Sequence, residues 1–257
     1  MSIVDEIEKI KRQLSNQKTE TAYSYINYYL SLPGLRGFWP MSAFSDTGAA
    51  LDQSGNVRTL TYNGNISYSY TGVAPFSGFD GTGDYLSRAD EAGLDILGTE
   101  TYVDTAVRGM SIGGWFYLTV STTQSPMGKW DTNSQRSYRL VSDGTNMLFQ
   151  LSSNGTATTT ATGPAHGTSE WIFIAGVYEP STSMTVYVNG TSVEFTTSIP
   201  ASIFSSTATF AIGSSFATGA SLNAITGRAS LCFLCTAMIS ESMVSSLFQS
   251  TRGLFRV

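Results

Sequence analysis

The most reactive side chains of this sequence are two cysteines, Cys232 and Cys235, which have the C-x-x-C spacing of redox and metal sites. The surrounding residues are typical of a buried strand, in which residues three apart point to opposite faces and lie about 10 Å apart. A disulfide requires Cα atoms within about 7 Å of each other. The two cysteines and the single, distant His166 are also too few ligands for zinc. The sequence therefore predicts two buried, unpaired thiols.

The acidic residues and the histidine lack the spacing of an active site. Glycoside hydrolysis requires two carboxyl groups about 5–9 Å apart, but no predicted strand carries such a pair on one face. The group of acidic residues that comes nearest to this requirement, Asp90, Glu91 and Asp95, lies in a segment that is predicted to be a loop. His166 lies in a turn with glycine and proline before a strand, and no G-x-S-x-G motif accompanies it. We therefore expect an exposed loop histidine and a protein that is not an enzyme.

Sugar binding is the other chemistry that the sequence could support. Sugars stack on aromatic rings and bind to amide, hydroxyl and charged groups placed around them. Trp130 lies in a polar segment with Asp131, Asn133 and Arg136, and these four residues are candidates for glycan binding. The alternative is that Lys129 and Trp130 begin a strand and that the indole ring is packed inward.

The composition narrows the class of partner. Only 13% of the 257 residues are charged and the net charge is −5, which argues against nucleic acid because phosphate binding requires clustered lysine and arginine. No run of 18 apolar residues is present, so we expect no membrane span. The first six residues lack the basic-then-apolar layout of a signal peptide. A surface rich in hydroxyls and amides on an unexported protein indicates a virion protein made in the host cytoplasm.

The first 34 residues are predicted to form a helical stem. Ile3, Ile7, Ile10 and Leu14 have the 4-3-4 spacing of a coiled-coil seam. Two heptads are too short to hold a coiled coil alone. We therefore expect the stem to be stabilised by neighbouring subunits, by another protein or by its own domain. The alternative is a single amphipathic helix that lies on the domain.

Tyrosines are concentrated at the end of this stem, where Tyr25, Tyr28 and Tyr29 follow a helical pattern that ends at Pro33-Gly34. Exposed tyrosines are typical of protein–protein contacts. We assign these three residues, together with the seam, to an oligomer or anchor interface. Packing of the tyrosines against the core of their own domain is the equal alternative.

From residue 35 onward the pattern changes to that of β-strands. Asn-Gly and Asp-Gly turns recur between short runs rich in β-branched and aromatic residues, which is typical of a sandwich. No internal repeat or long linker divides this part of the sequence. Residues 35–257 are therefore predicted to form one domain.

The order of these runs resembles the laminin-G-like family of concanavalin A-like jelly rolls over about residues 35–250. The segments that carry the resemblance are Gly37-Phe38-Trp39-Pro40, Leu51-Asp52-Gln53-Ser54-Gly55-Asn56, Phe79-Asp80-Gly81-Thr82-Gly83-Asp84-Tyr85-Leu86, Met110-Ser111-Ile112-Gly113-Gly114-Trp115-Phe116, Trp171-Ile172-Phe173-Ile174-Ala175-Gly176-Val177-Tyr178, Val186-Tyr187-Val188-Asn189-Gly190 and Phe210-Ala211-Ile212-Gly213. The resemblance implies an all-β jelly-roll sandwich of two antiparallel sheets and a non-catalytic role such as glycan binding.

The resemblance also implies a calcium site, for which the family often has an acidic residue in its last strand. The corresponding strand here, residues 227–234, has no carboxylate. A calcium ion would therefore have to be bound by loop oxygens of residues such as Asp46, Asp52, Asp80 or Asp84. Each of these aspartates also fits an ordinary role in capping its own turn.

Together these observations predict a non-enzymatic structural or adhesion protein of a phage virion, such as a capsid decoration protein, head fibre or tail fibre. We expect attachment through the N-terminal segment, a homotrimer, and contacts with other virion proteins, with host surface glycans as further candidate partners. No nucleic acid, membrane or cofactor is expected, apart from the calcium ion considered above. The alternative is a free-standing, carbohydrate-binding lectin-like module.

Overall fold

The computed structural model of the protein describes residues 25–41, 49–70, 74–100 and 108–257. The predicted stem seam at Ile3, Ile7, Ile10 and Leu14 lies outside these residues, as does Asp46. Within them the chain forms two mainly antiparallel β-sheets, packed face to face, and a helix at the C-terminal end. This arrangement confirms the predicted all-β sandwich.

The first sheet has eight strands in the described part of the chain, and all of its pairs are antiparallel. In spatial order its strands are β14 (Thr191–Phe195), β13 (Ser183–Val188), β12 (Trp171–Glu179), β7 (Arg108–Leu118), β18 (Thr226–Ala237), β5 (Pro75–Asp80) and β4 (Ser67–Tyr70), and β1 (Leu35–Trp39) also pairs with β18. The central strands β7 and β18 are buried almost throughout. Such continuous burial indicates that this sheet is covered on both faces.

The second sheet has ten strands among the described residues. In spatial order its strands are β11 (Thr159–Ala165), β10 (Asn146–Leu151), β9 (Gln135–Ser142), β8 (Gln124–Asp131), β15 (Phe210–Ile212), β6 (Tyr85–Arg88), β3 (Leu60–Asn63) and β2 (Ala49–Ala50), with β16 (Ser215–Ala217) paired to β8 and to β17 (Ala220–Leu222). A short 3-10 turn, Ala92–Leu94, follows β6. Buried and half-buried residues alternate along β10, so one face of this sheet packs in the core and the other faces outward.

Hydrophobic residues form two cores, one on each side of the first sheet. The core between the sheets includes Phe116 and Phe149. The core on the outer face of the first sheet includes Trp115 and Phe173. Adjacent residues such as Trp115 and Phe116 serve different cores because side chains alternate across a strand.

The C-terminal helix, Glu241–Phe255, closes the outer core. The hydroxyl of Ser240 accepts a hydrogen bond from the helix backbone at 3.3 Å and caps the start of the helix. The rings of Phe248 and Phe255 lie 5.9 and 4.4 Å from the ring of Trp115, and Trp115 donates its indole N–H to the hydroxyl of Thr251 at 2.9 Å. No helix among the described residues is long and apolar enough to cross a membrane.

The helical residues 25–30 are built into the same outer core. Tyr29 is fully buried, and its ring stacks on Phe38 with centroids 4.6 Å apart and planes 8° apart. Tyr25 is also buried in this core, whereas Tyr28 is 42% exposed. The structure therefore corrects the assignment of Tyr25 and Tyr29 to an interface: these rings pack against their own domain. Only Tyr28 remains available for a contact with another protein.

The C-x-x-C pair behaves as its strand pattern predicts. Cys232 packs in the core between the sheets and Cys235 in the outer core, so their side chains lie on opposite faces of β18. Both are free thiols, and burial raises the pKa of each well above its ordinary value.

Candidate functional site

A polar cavity opens at the rim of the sandwich, beside the turns that lead from one sheet to the other. These turns join β3 to β4 and β5 to β6. The cavity has a volume of about 190 Å³. It is lined by Asn65, Ser67, Gly78, Phe79, Asp80, Asp84, Gly227 and Arg228. Pockets for drug-sized ligands usually have volumes of about 300–1,000 Å³, so this cavity suits a smaller polar unit such as one sugar ring.

Asp84 is buried and holds the two crossing turns together. Its Oδ1 accepts the backbone N–H of Asn65 at 2.7 Å, and its Oδ2 accepts the backbone N–H of Asp80 at 3.0 Å. At Gly64, where φ is +77°, an added β-carbon would lie 2.1 Å from Oδ1 of Asp84, so this close approach requires glycine. Asp84 is therefore a structural support of the cavity wall.

Asp80, Asn65 and Ser67 are exposed and provide hydrogen-bonding groups at the cavity. The Oδ1 atom of Asp80 accepts the backbone N–H of Thr82 at 2.7 Å and caps the turn. Its Oδ2 atom accepts no hydrogen bond from the described residues. One oxygen of this carboxylate is thus available to accept hydrogen bonds from a ligand.

Arg228 adds a positive charge to the lining. Its guanidinium carbon lies 4.7 Å from the ring centroid of Phe76 and 4.8 Å from that of Tyr117, and both contacts have cation–π geometry. No carboxylate in the described part of the chain forms an ion pair with Arg228. The cavity therefore combines amide, hydroxyl, carboxylate and guanidinium groups, which together can bind a polyhydroxylated ligand.

Three of the four aspartates that the resemblance offered as calcium ligands, Asp52, Asp80 and Asp84, lie in the described part of the chain and have structural partners. Asp80 and Asp84 line the cavity, and Asp52 is not among its lining residues. Asp52 accepts four hydrogen bonds from neighbouring backbone and hydroxyl donors at 2.8–3.0 Å. The described residues contain no group of three or more histidine, cysteine, aspartate or glutamate side chains suited to a metal ion. These contacts favour the turn-capping role of all three aspartates.

Trp130, predicted as the platform for a sugar, is buried in β8. Only 2% of its surface is exposed, and the guanidinium groups of Arg139 and Arg136 lie 4.5 and 5.9 Å from its ring centroid. The register of β8 against β9 shifts between Lys129 and Trp130, so the sequence pattern does not reveal the final orientation of the indole. The structure corrects the prediction, because a covered ring has no face on which a sugar can stack.

The other three candidates around Trp130 have separate positions. Asp131 accepts three backbone hydrogen bonds at 2.7–2.9 Å, two of them from the turn of the β16–β17 hairpin, and so fastens this hairpin to β8. The side chain of Asn133 is exposed. Arg136 donates hydrogen bonds to the carbonyl oxygen of Thr156 and to the hydroxyl of Thr158. Arg136 therefore remains a candidate for glycan binding, whereas Asp131 has a structural role.

Basic residues neutralise the acidic group at residues 90–95. The fully buried ammonium group of Lys129 forms ion pairs with Asp90, at 2.6 Å, and with Asp95. Glu91 pairs with two arginines at 2.6 and 2.7 Å. This cluster fixes the segment that carries the 3-10 turn against the second sheet.

The structure brings His166 to Ser142, a contact that the sequence did not reveal. The Nε2 atom of His166 lies 2.7 Å from Oγ of Ser142, and its Nδ1 atom lies 2.9 Å from the carbonyl oxygen of Gly167. A carbonyl can only accept, so Nδ1 donates to Gly167, and in the neutral ring Nε2 accepts the hydroxyl hydrogen of Ser142. His166 is half-buried, in contrast to the predicted exposure, and Ser142 is fully buried. A buried hydroxyl does not reach a substrate, so the pair stabilises its turn.

Comparison with known proteins places the chain among lectin-like folds. A laminin-G family model, described as the concanavalin A-like lectin/glucanases superfamily, matches residues 80–227. The matched stretch runs from Asp80 to Gly227, two residues that line the rim cavity. No curated protein matches the chain in sequence.

Solved structures with a similar fold include the binding domains of a mosquitocidal protein and of a botulinum neurotoxin. The binding domain of Paraclostridial Mosquitocidal Protein 1 has a TM-score of 0.66 and 10% identity, with 84% of this chain and 52% of that chain covered. The binding domain of botulinum neurotoxin DC, solved in complex with SialylT and with rat synaptotagmin II, has TM-scores of 0.62 and identities of 11% and 13%, with coverage of 84% and 51%. The chain spans about half the length of these structures, and the similarity is one of fold.

Proposed function

Since the chain belongs to the concanavalin A-like lectin/glucanases superfamily, we propose that it is a non-enzymatic binding module that recognises a glycan through the rim cavity. The observation that carries this proposal is the set of groups in the lining, in which Asn65, Ser67, Asp80 and Arg228 supply both donors and acceptors. A few polar groups placed around a concave surface are what a saccharide site requires.

The toxin domains of similar fold support a binding role. Their structures contain SialylT or rat synaptotagmin II as ligands, so this sandwich occurs in domains that bind saccharide or protein ligands. The chain corresponds to about half of each toxin domain. We therefore infer only a binding role from these domains, and we infer the position of the site from the rim cavity.

The contacts of the acidic side chains support a role without catalysis. A glycosidase needs two carboxyl groups that act on the substrate from opposite sides of the scissile bond. At the cavity, Asp84 is buried and both of its oxygens accept backbone N–H groups. Asp80 is then the one carboxylate of the lining with an oxygen available to a ligand, which suits binding better than hydrolysis.

We propose further that the module is displayed on a phage virion, attached through its N-terminal segment and trimeric. The helical residues 25–30 lie on the outer face of the first sheet, on the same side as the C-terminal helix. An anchor that enters the domain at residue 25 would leave the outward face of the second sheet free. The low content of charged residues and the Ile3 to Leu14 seam support such an attachment.

A glycan array tests the proposed binding. The intact protein is applied beside Asn65→Ala and Asp80→Asn, which remove cavity groups but keep the buried support at Asp84. Asp143→Asn is the matched control, because Asp143 is also exposed and caps a turn through Oδ1. We expect a restricted set of neutral glycans to bind, with signals at least tenfold weaker for the two cavity variants. An array without any neutral glycan signal, or neutral signals that both cavity variants retain, would contradict the proposal.

Deletion of residues 1–24 tests the attachment. The deletion ends before Tyr25 because a longer one would remove buried rings from the outer core. We expect light scattering to give a trimer for the intact protein and a monomer for the shortened one, at an unchanged thermal midpoint. A shortened protein that keeps the full-length oligomer would contradict the stem, and a monomeric intact protein would favour the free-standing lectin.

A further inference from the structure

Two arginines on the outward face of the second sheet share one tryptophan. Tyr138 and Leu140 flank Arg139 in β9 and pack in the core between the sheets, so the side chain of Arg139 lies on the opposite, outward face. Its guanidinium carbon is 4.5 Å from the ring centroid of Trp130, and that of Arg136 is 5.9 Å from the same centroid. The rim cavity has a different lining, so this is a second location on the domain.

These two positive charges have no carboxylate partner among residues 25–41, 49–70, 74–100 and 108–257. The nearest acid before the pair in sequence, Asp131, uses its oxygens for backbone N–H groups of Asn133 and the hairpin turn. The nearest acid after it, Asp143, caps its own turn through Oδ1. Two unpaired cations side by side are unusual in a chain whose net charge is −5, since partly buried charges are normally paired.

The environment of Arg139 opposes its charge. Burial, and then the positive charge of Arg136, lowers the pKa of Arg139 to about 10. Its partners in the structure are neutral: Nε donates to the amide oxygen of Gln150 at 2.8 Å and a terminal nitrogen donates to the hydroxyl of Ser215 at 3.2 Å. A guanidinium group has five N–H donors, so three remain for another acceptor.

The same cluster contains a further unused donor. The indole N–H of Trp130 is buried and has no hydrogen-bond partner among the described residues, although buried donors are almost always paired. The cluster therefore has a surplus of donors and positive charge, and it lacks an acceptor that carries negative charge.

We propose that Arg136 and Arg139 form a binding site for an acidic saccharide, whose carboxylate or sulfate group provides the missing counter-charge. Arginine matches the planar geometry of such oxyanions and binds them through two parallel hydrogen bonds. The groups around the pair are neutral amides and hydroxyls, among them Gln150 bonded to Thr160 at 3.2 Å, and such groups complement the hydroxyls of a sugar. Two arginines do not make the long basic surface that a nucleic acid requires, and the adjacent Lys129 is buried and paired with Asp90 and Asp95.

This inference rests on the proposed glycan-binding function and names an acidic class of ligand for a second site. Isothermal titration with three matched pairs of saccharides tests it: a glucuronate oligosaccharide and its carboxyl-reduced form, sialyllactose and lactose, and sulfated and unsulfated N-acetyllactosamine. We expect at least one acidic member to bind tenfold or more tightly than its neutral partner, and less tightly as the salt concentration rises. The three pairs also distinguish carboxylate from sulfate.

The variants Arg139→Gln and Arg136→Gln should each reduce the affinity for the acidic member at least tenfold. Arg139→Lys should also weaken binding because lysine keeps the charge but not the planar fork. Arg108→Gln is the control, since Arg108 is an exposed arginine of the first sheet and its loss changes the net charge equally. Thermal melts identify a variant that has unfolded; in that case the more exposed contact, Arg136→Gln, decides the outcome.

Two results would overturn the inference: no acidic member binds more tightly than its neutral partner, or the preference survives in both glutamine variants. The proposed function has a separate readout, because binding of a neutral glycan should respond to Asn65→Ala and not to Arg139→Gln. Binding of neutral glycans without a preference for acidic ones would therefore be consistent with glycan binding at the rim cavity and would contradict only the arginine site.

Discussion

Replacement of Tyr29 by alanine should destabilise the whole sandwich, because this residue closes the outer core. The ring is fully buried, stacks on Phe38 at 4.6 Å and lies 5.7 Å from the ring of Phe233. Truncation of a fully buried aromatic side chain costs about 3–5 kcal/mol of unfolding free energy, of which about 0.5–1.5 kcal/mol belongs to the stacked pair. We therefore expect Tyr29→Ala to lose about 3–5 kcal/mol.

Urea unfolding followed by far-UV circular dichroism measures this loss, with two variants as controls. Tyr29→Phe removes a hydroxyl that has no hydrogen-bond partner in the described structure, so its stability should stay within about 1 kcal/mol of the original. Tyr28→Ala removes an exposed ring and should change stability by less than about 0.5 kcal/mol. A Tyr29→Ala protein as stable as Tyr28→Ala would refute the placement of residues 25–30 in the domain.

Three further predictions concern buried groups of the described core. Lys129→Met should lower the free energy of unfolding by about 3 kcal/mol, because two carboxylates lose their buried partner. Equal urea midpoints for this variant and for Arg108→Gln would contradict this prediction. Cys232 and Cys235 should react with a thiol reagent only after unfolding, since burial raises the pKa of both; prompt labelling of the folded protein would show an exposed thiol. The free energy of unfolding should fall as the pH rises above about 10, because burial raises the pKa of Tyr29 and Tyr138 above the pKa of tyrosine in the unfolded chain. A free energy of unfolding that stays constant from pH 8 to pH 11 would be inconsistent with these buried phenols.

The sequence predicted the features that follow from alternation along strands. Cys232 and Cys235 fall on opposite faces of β18 because they are three residues apart in an extended strand. The Asn189-Gly190 turn joins β13 to β14 with positive φ at both residues, as a two-residue hairpin requires. Such features are local, and for this reason one sequence is enough to find them.

Features that depend on contacts between distant segments were not predictable. The polar residues around Trp130 suggest an exposed ring. In the structure the register of β8 shifts at this residue, and two arginines of β9 cover the ring. Tyr25 and Tyr29 fit a helix in either environment. Their burial depends on distant parts of the chain, since the ring of Tyr29 lies against Phe38 and Phe233 in the outer core. The helical spacing in the sequence predicted that the two rings lie on one face of a helix, but not which surface this face packs against.

Two residues of the proposed sites, Arg139 and Arg228, were not predicted from the sequence, although the sequence contains part of the information that locates them. Arg139 lies between Tyr138 and Leu140, so alternation alone places it on the outward face. Its lack of an acidic partner became visible only with the pairing of β8, β9 and β10. Arg228 lies in the strand where a carboxylate was sought, and its role depends on Asn65 and Asp80, which the fold brings to the same rim.

Hydrogen exchange in the presence of a bound glycan tests whether the rim cavity is the binding site. The neutral saccharide that gives the strongest array signal is added at saturating concentration, and exchange is followed by mass spectrometry across the intact protein. If the rim cavity binds glycans, protection should appear in peptides that contain residues 64–70, 78–84 and 226–228. Protection confined to other parts of the sandwich, or none at saturation, would show that the rim cavity does not bind the glycan.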